Sequence, residues 1–356
     1  MAGIAATVFD KAVIMAKDKF TEFENRNSLM GSYMALREGT NQLVTKTALE
    51  KARTSQERQV TIPVLKRYNA TVHNQRGLNL PGDEPESDLV TLNWFTRGFT
   101  VKTREAVHQG NYISEAEYIA HQIQNGLRAV YQNNLVAGKE SFDKMATDYL
   151  NASKTTALAT TTLAGVTIAG GAYEIPQDKL YIYMPTLFMK NELQGPFHDV
   201  ANYDAMAMRT YMSTMGSANQ QNLEKLLSSQ YDFGYSPHIT VPANTLESHY
   251  MFGKGSYGVL DWIEYDCRSN GGYDGKGSWD GTYKYTTWED PYGALWGVLV
   301  TMGPNESTIP GLERSYAMQM DFFKDTAFVK SYSSEAGKSE TIKVNVKAPS
   351  TASQAA

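Results

Sequence analysis

Residues 58–68 read Arg-Gln-Val-Thr-Ile-Pro-Val-Leu-Lys-Arg-Tyr, and residues 87–94 read Ser-Asp-Leu-Val-Thr-Leu-Asn-Trp. Apolar side chains recur at every second position of the first stretch, and a similar alternation extends from Leu89 to Arg104. A period of two is typical of β-strands with one buried face, so the sequence predicts two long strands. At about 3.3 Å per residue, the first strand would span roughly 36 Å, which is long for a compact domain.

The segment between the two strands, 69–88, contains Gly77, Pro81, Gly82 and Pro85, which predict the irregular tip of a hairpin. A two-stranded ribbon is marginally stable alone in water, and its unpaired edges favour association. We therefore expect the hairpin to contact another subunit. The alternative is that its charges only solvate an exposed ribbon. Along the chain, the charged residues expected to make this contact are basic up to residue 76 and acidic from residue 83 onward. The full set of expected contact residues is Arg58, Lys66, Arg67, Arg76, Asp83, Glu84, Glu86, Asp88 and Trp94.

The stretch before the hairpin favours helix over residues 2–24. Val8, Ala12, Met15 and Phe23 fall roughly on one stripe among charged neighbours. A single apolar stripe needs a partner surface to be stable. We therefore interpret this stretch as a mobile or docking arm.

After the hairpin, Ser114-Glu-Ala-Glu117 forms a capping box, and apolar residues follow at helical spacing from Ile119 to Leu135. A second helix is predicted to extend through Phe142 to about residue 150. Leu180-Tyr-Ile-Tyr-Met184 is predicted to be a strand that ends at Pro185.

The C-terminal half is predicted to contain both helices and short strands. Helical patterns return from about 186 to 230. We assign the four methionines of this segment, Met206, Met208, Met212 and Met215, to the core; the alternative is that they form an adaptable binding face. Strands are predicted near residues 239–241, 259–265, 295–302, 316–332 and 341–347.

Composition excludes several classes of protein. The chain has 356 residues, 42% hydrophobic and 20% charged, with a formal net charge of −5, so a disordered chain and a general nucleic-acid binder are both disfavoured. Cys267 is the single cysteine, which excludes an internal disulfide and suits a reducing compartment. The first residues lack the basic region of a secretion signal, and the weakly polar stretch 157–172 is too short to span a bilayer.

Motifs for nucleotide chemistry are present only in the wrong context. Gly253–Gly258 matches a glycine-rich phosphate loop, and Asp232-Phe-Gly234 matches the metal-binding triplet of kinases. Their order along the chain is reversed relative to kinases, and the catalytic loop is missing. We therefore expect no nucleotide and no other cofactor.

The best enzymatic alternative is a protein that binds or cleaves glycans. Asp261, Glu264 and Asp266 could provide a pair of carboxylates, and aromatic residues between 257 and 296 could stack on sugar rings. These aromatic residues are Trp262, Tyr273, Trp279, Tyr283, Tyr285 and Trp288. The six histidines include no pair at zinc-binding spacing, and the chain has no nucleophile elbow. We therefore expect no catalytic residue and no metal ligand.

The order of arm, ribbon, long capped helix and mixed strand-and-helix region resembles the major capsid proteins of tailed bacteriophages, whose HK97-type fold is shared by encapsulins. The resemblance is carried by residues 58–65 and 87–94 for the extended loop and by 114–137 for the spine helix. Residues 178–185 and 194–203 resemble the start of the axial domain. The resemblance lies in the order and type of the predicted secondary-structure elements over about residues 45–347.

The resemblance implies an α+β fold with six parts. These are an N-terminal arm (1–45), an extended β-hairpin loop (46–106), a peripheral domain with the spine helix (107–177), an axial domain (178–310), returning strands of the peripheral domain (311–347) and a disordered tail (348–356).

The resemblance also implies a function without catalysis. The chain would be a structural subunit that assembles in the host cytoplasm into pentamers and hexamers of an icosahedral shell around a double-stranded DNA genome, which it contacts without sequence specificity. Expected partners are other copies of the chain, a separate scaffolding protein, a portal and decoration proteins. An encapsulin-like compartment with the same fold is an alternative.

Overall fold

The computed structural model describes residues 8–16, 30–38, 61–66, 71–78, 80–82, 84, 87–104, 114–132, 139–154, 157–193, 195–215, 230–264, 267, 283–304, 316–330, 332–333 and 341–348. These residues form a mixed α+β structure, which confirms the predicted class. Residues 8–16 are helical, and the further helices are α1 (Gly31–Glu38), α2 (Glu115–Tyr131), α3 (Phe142–Ser153), α4 (Leu180–Lys190) and α5 (Ala205–Met215). A short 3-10 helix, Gln177–Lys179, precedes α4.

The strands are β1 (Thr61–Lys66), β2 (Ser87–Thr91), β3 (Phe95–Arg104), β4 (Thr167–Ala169), β5 (Ala172–Pro176), β6 (Phe197–Ala201), β7 (Tyr231–Tyr235), β8 (Glu247–Gly253), β9 (Tyr257–Trp262), β10 (Tyr283–Glu289), β11 (Leu295–Pro304), β12 (Tyr316–Lys330), β13 (Tyr332–Ser333) and β14 (Thr341–Lys347). Most of the strands predicted in the C-terminal half are confirmed. Residues 239–241 are an exception, because they are irregular.

A five-stranded sheet in the order β10-β11-β12-β3, with β9 also paired to β12, forms one half of the structure. The long strand β12 pairs with β3 along one side and, along the other, first with β11 and then with β9. Helix α2 packs on this sheet, and its Gly126 lies against the ring of Phe99 in β3. The predicted capping box is confirmed, because Ser114 Oγ accepts from the Glu117 amide and Glu117 Oε2 accepts from the Ser114 amide.

The second half is a six-stranded sheet in the order β4-β5-β14-β8-β6-β7. Strand β14 runs parallel to β5 and antiparallel to β8, so it lies in the middle of this sheet. Helix α4 packs in the core of this half, where the rings of Phe188 and Phe197 are stacked with centroids 3.7 Å apart. This stacking joins α4 to β6.

The strand predicted at Leu180–Met184 is wrong, because these residues begin α4. Leu180, Met184 and Leu187 are buried while Ile182 is exposed, which is the spacing of a helix face. The helix is apolar nearly all round, so its sequence lacks the alternation of polar and apolar residues that would have revealed it. Pro185 lies inside the helix, where it removes one backbone hydrogen bond.

The predicted arm is also wrong for its described parts, which pack against the body of the same chain. Phe9 and Ala12 of the helix at 8–16, and Tyr33 and Leu36 of α1, belong to the main hydrophobic core. Gln124 Nε2 in α2 donates to the carbonyl of Ala16 at 3.4 Å. The apolar stripe thus finds its partner surface within its own chain.

Each of the two sheets contains strands from more than one of the predicted domains, and sharing a sheet does not by itself define a domain. Strands β9, β10 and β11, expected in the axial domain, join β12 in the five-stranded sheet, while β14 joins the six-stranded sheet. The division of the chain into domains therefore stays a prediction.

Candidate functional site

The predicted hairpin is present as β1 and β2, which pair antiparallel from Thr61 with Thr91 to Leu65 with Ser87. The described pairs cover five residues on each strand, roughly 17 Å in strand conformation, and the predicted residues 58–60 and 67–68 lie outside the described residues. The predicted second strand, 89–104, is interrupted at Leu92–Trp94, and β3 continues instead in the five-stranded sheet. The hairpin β1–β2 is therefore separate from the five-stranded sheet.

The base of the hairpin is anchored on its own chain. Leu92 and Trp94 pack against Leu260, Ala327 and Val329. Strand β13 pairs in parallel with the last two residues of β1, so three strands run side by side in the order β13-β1-β2. Within the described part of the chain, β2 has no strand on its outer side. The prediction that the ribbon edges are unpaired thus holds for β2 and not for the end of β1.

The tip of the hairpin is exposed throughout its described residues, 71–78, 80–82 and 84. Among them are large apolar side chains, with Val72 85% and Leu78 100% exposed; Leu89 in β2 is 72% exposed. We call Val72, Leu78, Leu80 and Leu89 the hairpin surface. His73 Nε2 lies 2.6 Å from the carbonyl oxygen of Pro81, which joins the two sides of the tip. Apolar residues held in water on a braced loop are typical of a contact surface.

The structure places only some of the predicted contact residues on this tip. Arg76 and Glu84 are exposed there. Lys66 lies in β1 and Asp88 in β2, opposite Val64. The remaining charged residues, Arg58, Arg67, Asp83 and Glu86, lie outside the described residues. Trp94 lies at the base, half-buried against its own chain. The intersubunit role of all these residues stays a prediction.

A second exposed apolar area lies on the other half of the structure, and the sequence analysis missed it. Ile182 and Met189 project from α4, and Met206 projects from α5. Met206 was assigned to the core, and that assignment is wrong. A cavity of about 820 Å³ opens beside α4 and is lined mainly by apolar side chains, among them Phe188 and Tyr231. Recognising 180–190 as a helix would have revealed this surface, because Ile182 and Met189 lie seven residues apart on one face.

Lys324 is a buried cation in the main core. Its Nζ lies 3.0 Å from the Tyr131 hydroxyl, 3.3 Å from the Tyr33 hydroxyl and 3.4 Å from Asp261 Oδ1. The Nζ also lies 5.0 Å from the centroid of the Trp296 ring. Burial lowers the pKa of Lys324, but the electrostatic attraction of Asp261, Tyr33 and Asp290 more than offsets this, so the pKa lies above its usual value. The group therefore stays charged and stabilises the junction of α1, α2 and β12.

This arrangement removes support from the glycan alternative. Asp261 is engaged by Lys324 and by the Thr326 hydroxyl, which donates to it at 2.9 Å. Trp288 is buried in the main core, where it cannot stack on a sugar ring. Glu264 is exposed, and Tyr285 lies in β10. Trp262 is the last residue of β9 and Tyr283 the first of β10. Asp266, Tyr273 and Trp279 lie outside the described residues.

A second buried network centres on Asp199 in β6. Its carboxylate lies 2.7 Å from Arg209 Nη2 and 2.9 Å from His249 Nδ1, and it accepts from the Tyr181 hydroxyl at 2.9 Å. Burial alone would raise the pKa of Asp199, but the Arg209 and His249 charges hold it well below its usual range. These contacts tie α4 and α5 to the six-stranded sheet.

The other sequence motifs lie in ordinary secondary structure. Asp232-Phe-Gly234 lies within β7, and Gly253–Gly258 forms the end of β8, a turn and the start of β9, with a strand following where a phosphate loop needs a helix. Of the helices that the structure describes, none is long and apolar enough to cross a membrane.

Comparison with solved structures finds structures from bacteriophages, among them structures whose titles name a capsid. A structure titled "Cyanophage A-1(L) capsid asymmetric unit" is 11% identical, with a TM-score of 0.47, and the match covers 89% of this chain and 92% of that chain. A structure from Mycobacterium phage Adephagia is 12% identical, with a TM-score of 0.41, over 87% and 92%. The capsid structure of cyanophage P-SCSP1u is 10% identical, with a TM-score of 0.39, over 83% and 85%. No family model matches the chain, and no curated protein matches it.

Proposed function

We propose that the chain is the structural subunit of an icosahedral phage capsid and that copies of it assemble into pentamers and hexamers around a double-stranded DNA genome. The observation that carries the proposal is the hairpin surface. It holds exposed apolar side chains on a ribbon whose base is fixed to a rigid body. Such a loop is suited to lie on a neighbouring copy.

The energy of such a contact is sufficient for assembly when it is repeated. Fully burying a Val or Leu side chain contributes roughly 1.5–3 kcal/mol, so each hairpin would contribute several kcal/mol of apolar burial. A closed shell repeats this contact at every subunit, and many moderate contacts together give a stable particle. The exposed outer edge of β2 could add backbone hydrogen bonds.

The charges of the chain are compatible with close packing of identical copies. The net charge of −5 over 356 residues is small, so copies do not repel one another strongly. Arg76 and Glu84 lie on the same tip with opposite signs, which suits a neighbouring surface of mixed charge.

The two sheets suggest an assignment of the two domains of the HK97-type fold. The peripheral domain would consist of α2, α3 and the five-stranded sheet, and the axial domain would consist of α4, α5 and the six-stranded sheet. The exposed apolar area of α4 and α5 would then face other axial domains at the centre of a capsomer. In this assignment β14 belongs to the axial domain, because it pairs with β5 and β8. The sequence-based boundaries instead place residues 311–347, which include β14, in the peripheral domain.

The proposal includes a separate scaffolding protein. Residues 8–16 and α1 belong to the core of the folded subunit. A portal, decoration proteins and assembly in the host cytoplasm belong to the same proposal. An encapsulin-like compartment would share this assembly, and the packaged content would distinguish it.

The test is to express the full chain with and without residues 70–87 and to image both proteins by electron microscopy after sedimentation. We expect the intact chain to form closed particles or capsomers, and the deletion variant to sediment as folded subunits with unchanged circular dichroism. An intact chain that stays monomeric at all concentrations, with and without co-expressed scaffolding protein, would contradict the proposal. Particles with bound DNA would separate a capsid from an enzyme-filled compartment.

A further inference from the structure

Three side chains with metal-binding groups converge where α1 meets the six-stranded sheet. Glu38 is the last residue of α1, and His198 of β6 is paired in register with Asp232 of β7. Helix α1 lies close on β7, because a Cβ added at Gly31 would lie 2.7 Å from the Gly234 carbonyl carbon. Backbone packing therefore fixes Glu38 above the His198–Asp232 pair.

The distances between these groups are near those of a metal site. Each His198 ring nitrogen faces one carboxylate: Nε2 lies 3.7 Å from Glu38 Oε2, and Nδ1 lies 3.7 Å from Asp232 Oδ2. A single ion would bind one of these two nitrogens. One ligand atom from each residue lies within 4.8 Å of the ligand atoms of the other two. Zinc bonds of about 2.0–2.2 Å in a tetrahedral arrangement place the ligand atoms about 3.4 Å apart. Side-chain rotations that shorten the distances between ligand atoms by less than about 1.5 Å would bring all three atoms within bonding distance of one ion.

His198 lacks the hydrogen bond that a buried ring nitrogen needs. The residue is 2% exposed, and its Nε2 atom has no hydrogen-bond partner within the described part of the protein. Leaving a buried polar atom without a partner costs about 1–3 kcal/mol, so such an atom points to a missing ligand or water. The open side of this nitrogen faces the Glu38 carboxylate.

The charges of the cluster favour a cation. Glu38 and Asp232 each place a carboxylate beside the buried His198 ring. The two carboxylates repel each other when both are ionised, and a divalent ion between them would relieve this repulsion.

We propose that Glu38, His198 and Asp232 form a binding site for a divalent transition-metal ion such as Zn²⁺. One imidazole nitrogen and two carboxylate oxygens are a donor set that suits zinc, whereas Mg²⁺ and Ca²⁺ prefer oxygen ligands alone. Water would complete the coordination on the exposed side. The ion would join the end of α1 to two strands of the six-stranded sheet, and this site does not depend on the proposed shell function.

Lys254 is the competitor for this ion. Its Nζ lies 3.0 Å from Asp232 Oδ2, and its side chain is one-third exposed, so it can move into solvent when the ion binds. Replacing it with an uncharged side chain would remove the competition. Lys254→Met should therefore bind Zn²⁺ more tightly than the wild type.

The test is a Zn²⁺ titration of the purified full chain against a chromogenic chelator, together with thermal unfolding with Zn²⁺ or Mg²⁺ present. We expect a site of one Zn²⁺ per chain whose affinity falls at least tenfold in His198→Gln, Glu38→Gln and Asp232→Asn and rises in Lys254→Met. Zn²⁺ should raise the melting temperature of the wild type, and Mg²⁺ should not. His121→Gln is the matched control, because His121 is an exposed histidine of α2, and it should bind as the wild type does.

The side chains of Glu38 and Asp232 are about half exposed, so their amide variants test the ligands even if the buried His198 variant fails to fold. Zinc binding of equal affinity in the wild type, Glu38→Gln and Asp232→Asn would overturn the proposal. An equal thermal shift with Mg²⁺ would also overturn it, as would weaker binding by Lys254→Met. None of these results depends on whether the chain forms a shell.

Discussion

Removing the apolar side chains from the hairpin tip should abolish assembly while leaving the subunit intact. The perturbation is the double substitution Val72→Ser with Leu78→Ser. Both side chains are almost fully exposed, at 85% and 100%, so they contribute little to the fold of the isolated chain. Exposed substitutions of this kind change the free energy of unfolding by about 0.5 kcal/mol or less.

The effect on the contact between copies should be much larger. If a neighbouring copy covers both side chains, their loss removes roughly 3–6 kcal/mol per contact, taking roughly 1.5–3 kcal/mol for each buried side chain. Because 1.4 kcal/mol corresponds to a factor of ten, the contact should weaken by roughly 10²- to 10⁴-fold. Weakening at every contact would shift the chain from particles to free subunits.

The assay is sedimentation velocity across a concentration series, with urea unfolding of the unassembled chain as the measure of fold stability. Gln75→Ser is the matched control, because Gln75 is exposed on the same tip and carries no large apolar surface. The control should assemble as the wild type does. Assembly of the double variant at wild-type concentrations would refute the account of the hairpin surface, since the apolar atoms would then carry no contact energy.

Three further predictions concern the body of the subunit. Gly126→Ala should lower the urea midpoint, because the new Cβ would lie 2.2 Å from the Phe99 ring, and overpacking of about 1–3 kcal/mol outweighs a helix-propensity gain of about 1 kcal/mol. Burial raises the pKa of Asp143 to about 7, so the native state binds the extra proton and the free energy of unfolding should fall as pH rises from about 4 to about 7. Asp143→Asn should flatten that pH dependence in chemical unfolding measured across the same range. Lys324→Met should destabilise the chain by about 3–5 kcal/mol in urea unfolding, because it removes one partner of the buried pair with Asp261, and a loss below about 1 kcal/mol would contradict the assigned role.

Elements with strong local signals could be predicted from the sequence. The capping box at Ser114 and the apolar spacing after it define α2 without any distant contact, because the cap and the helix face are both set by residues three to four positions apart. The alternation in β1 and β2 likewise revealed the hairpin. Its tip was recognised from glycine and proline, which limit the backbone locally.

Elements decided by tertiary packing could not be predicted in the same way. Helix α4 is apolar on most sides, so the period that distinguishes helix from strand is absent from its sequence. The interruption at Leu92–Trp94 depends on packing against Leu260 and Val329, which are distant in the chain. Whether the N-terminal helices pack on their own body or on another molecule is likewise a property of the folded structure.

The candidate sites show the same limit. The exposure of Val72 and Leu78 could be inferred from the predicted tip, but the burial of Trp94 beside the same ribbon could not. Glu38, His198 and Asp232 come from three separate elements, so no spacing motif in the sequence connects them. Only the pairing of β6 with β7 and the packing of α1 bring them together.

The most direct test is cross-linking from the tip in particles assembled from an equal mixture of ¹⁴N- and ¹⁵N-labelled chains. A photoreactive amino acid at position 78 would react with the surface that covers it, and mass spectrometry would read the isotope content of each linked peptide pair. We predict that pairs with one light and one heavy peptide will be about as abundant as pairs of a single isotope, since the tip reaches a different copy. Linked pairs that are always of one isotope would place the tip on its own chain and contradict the account.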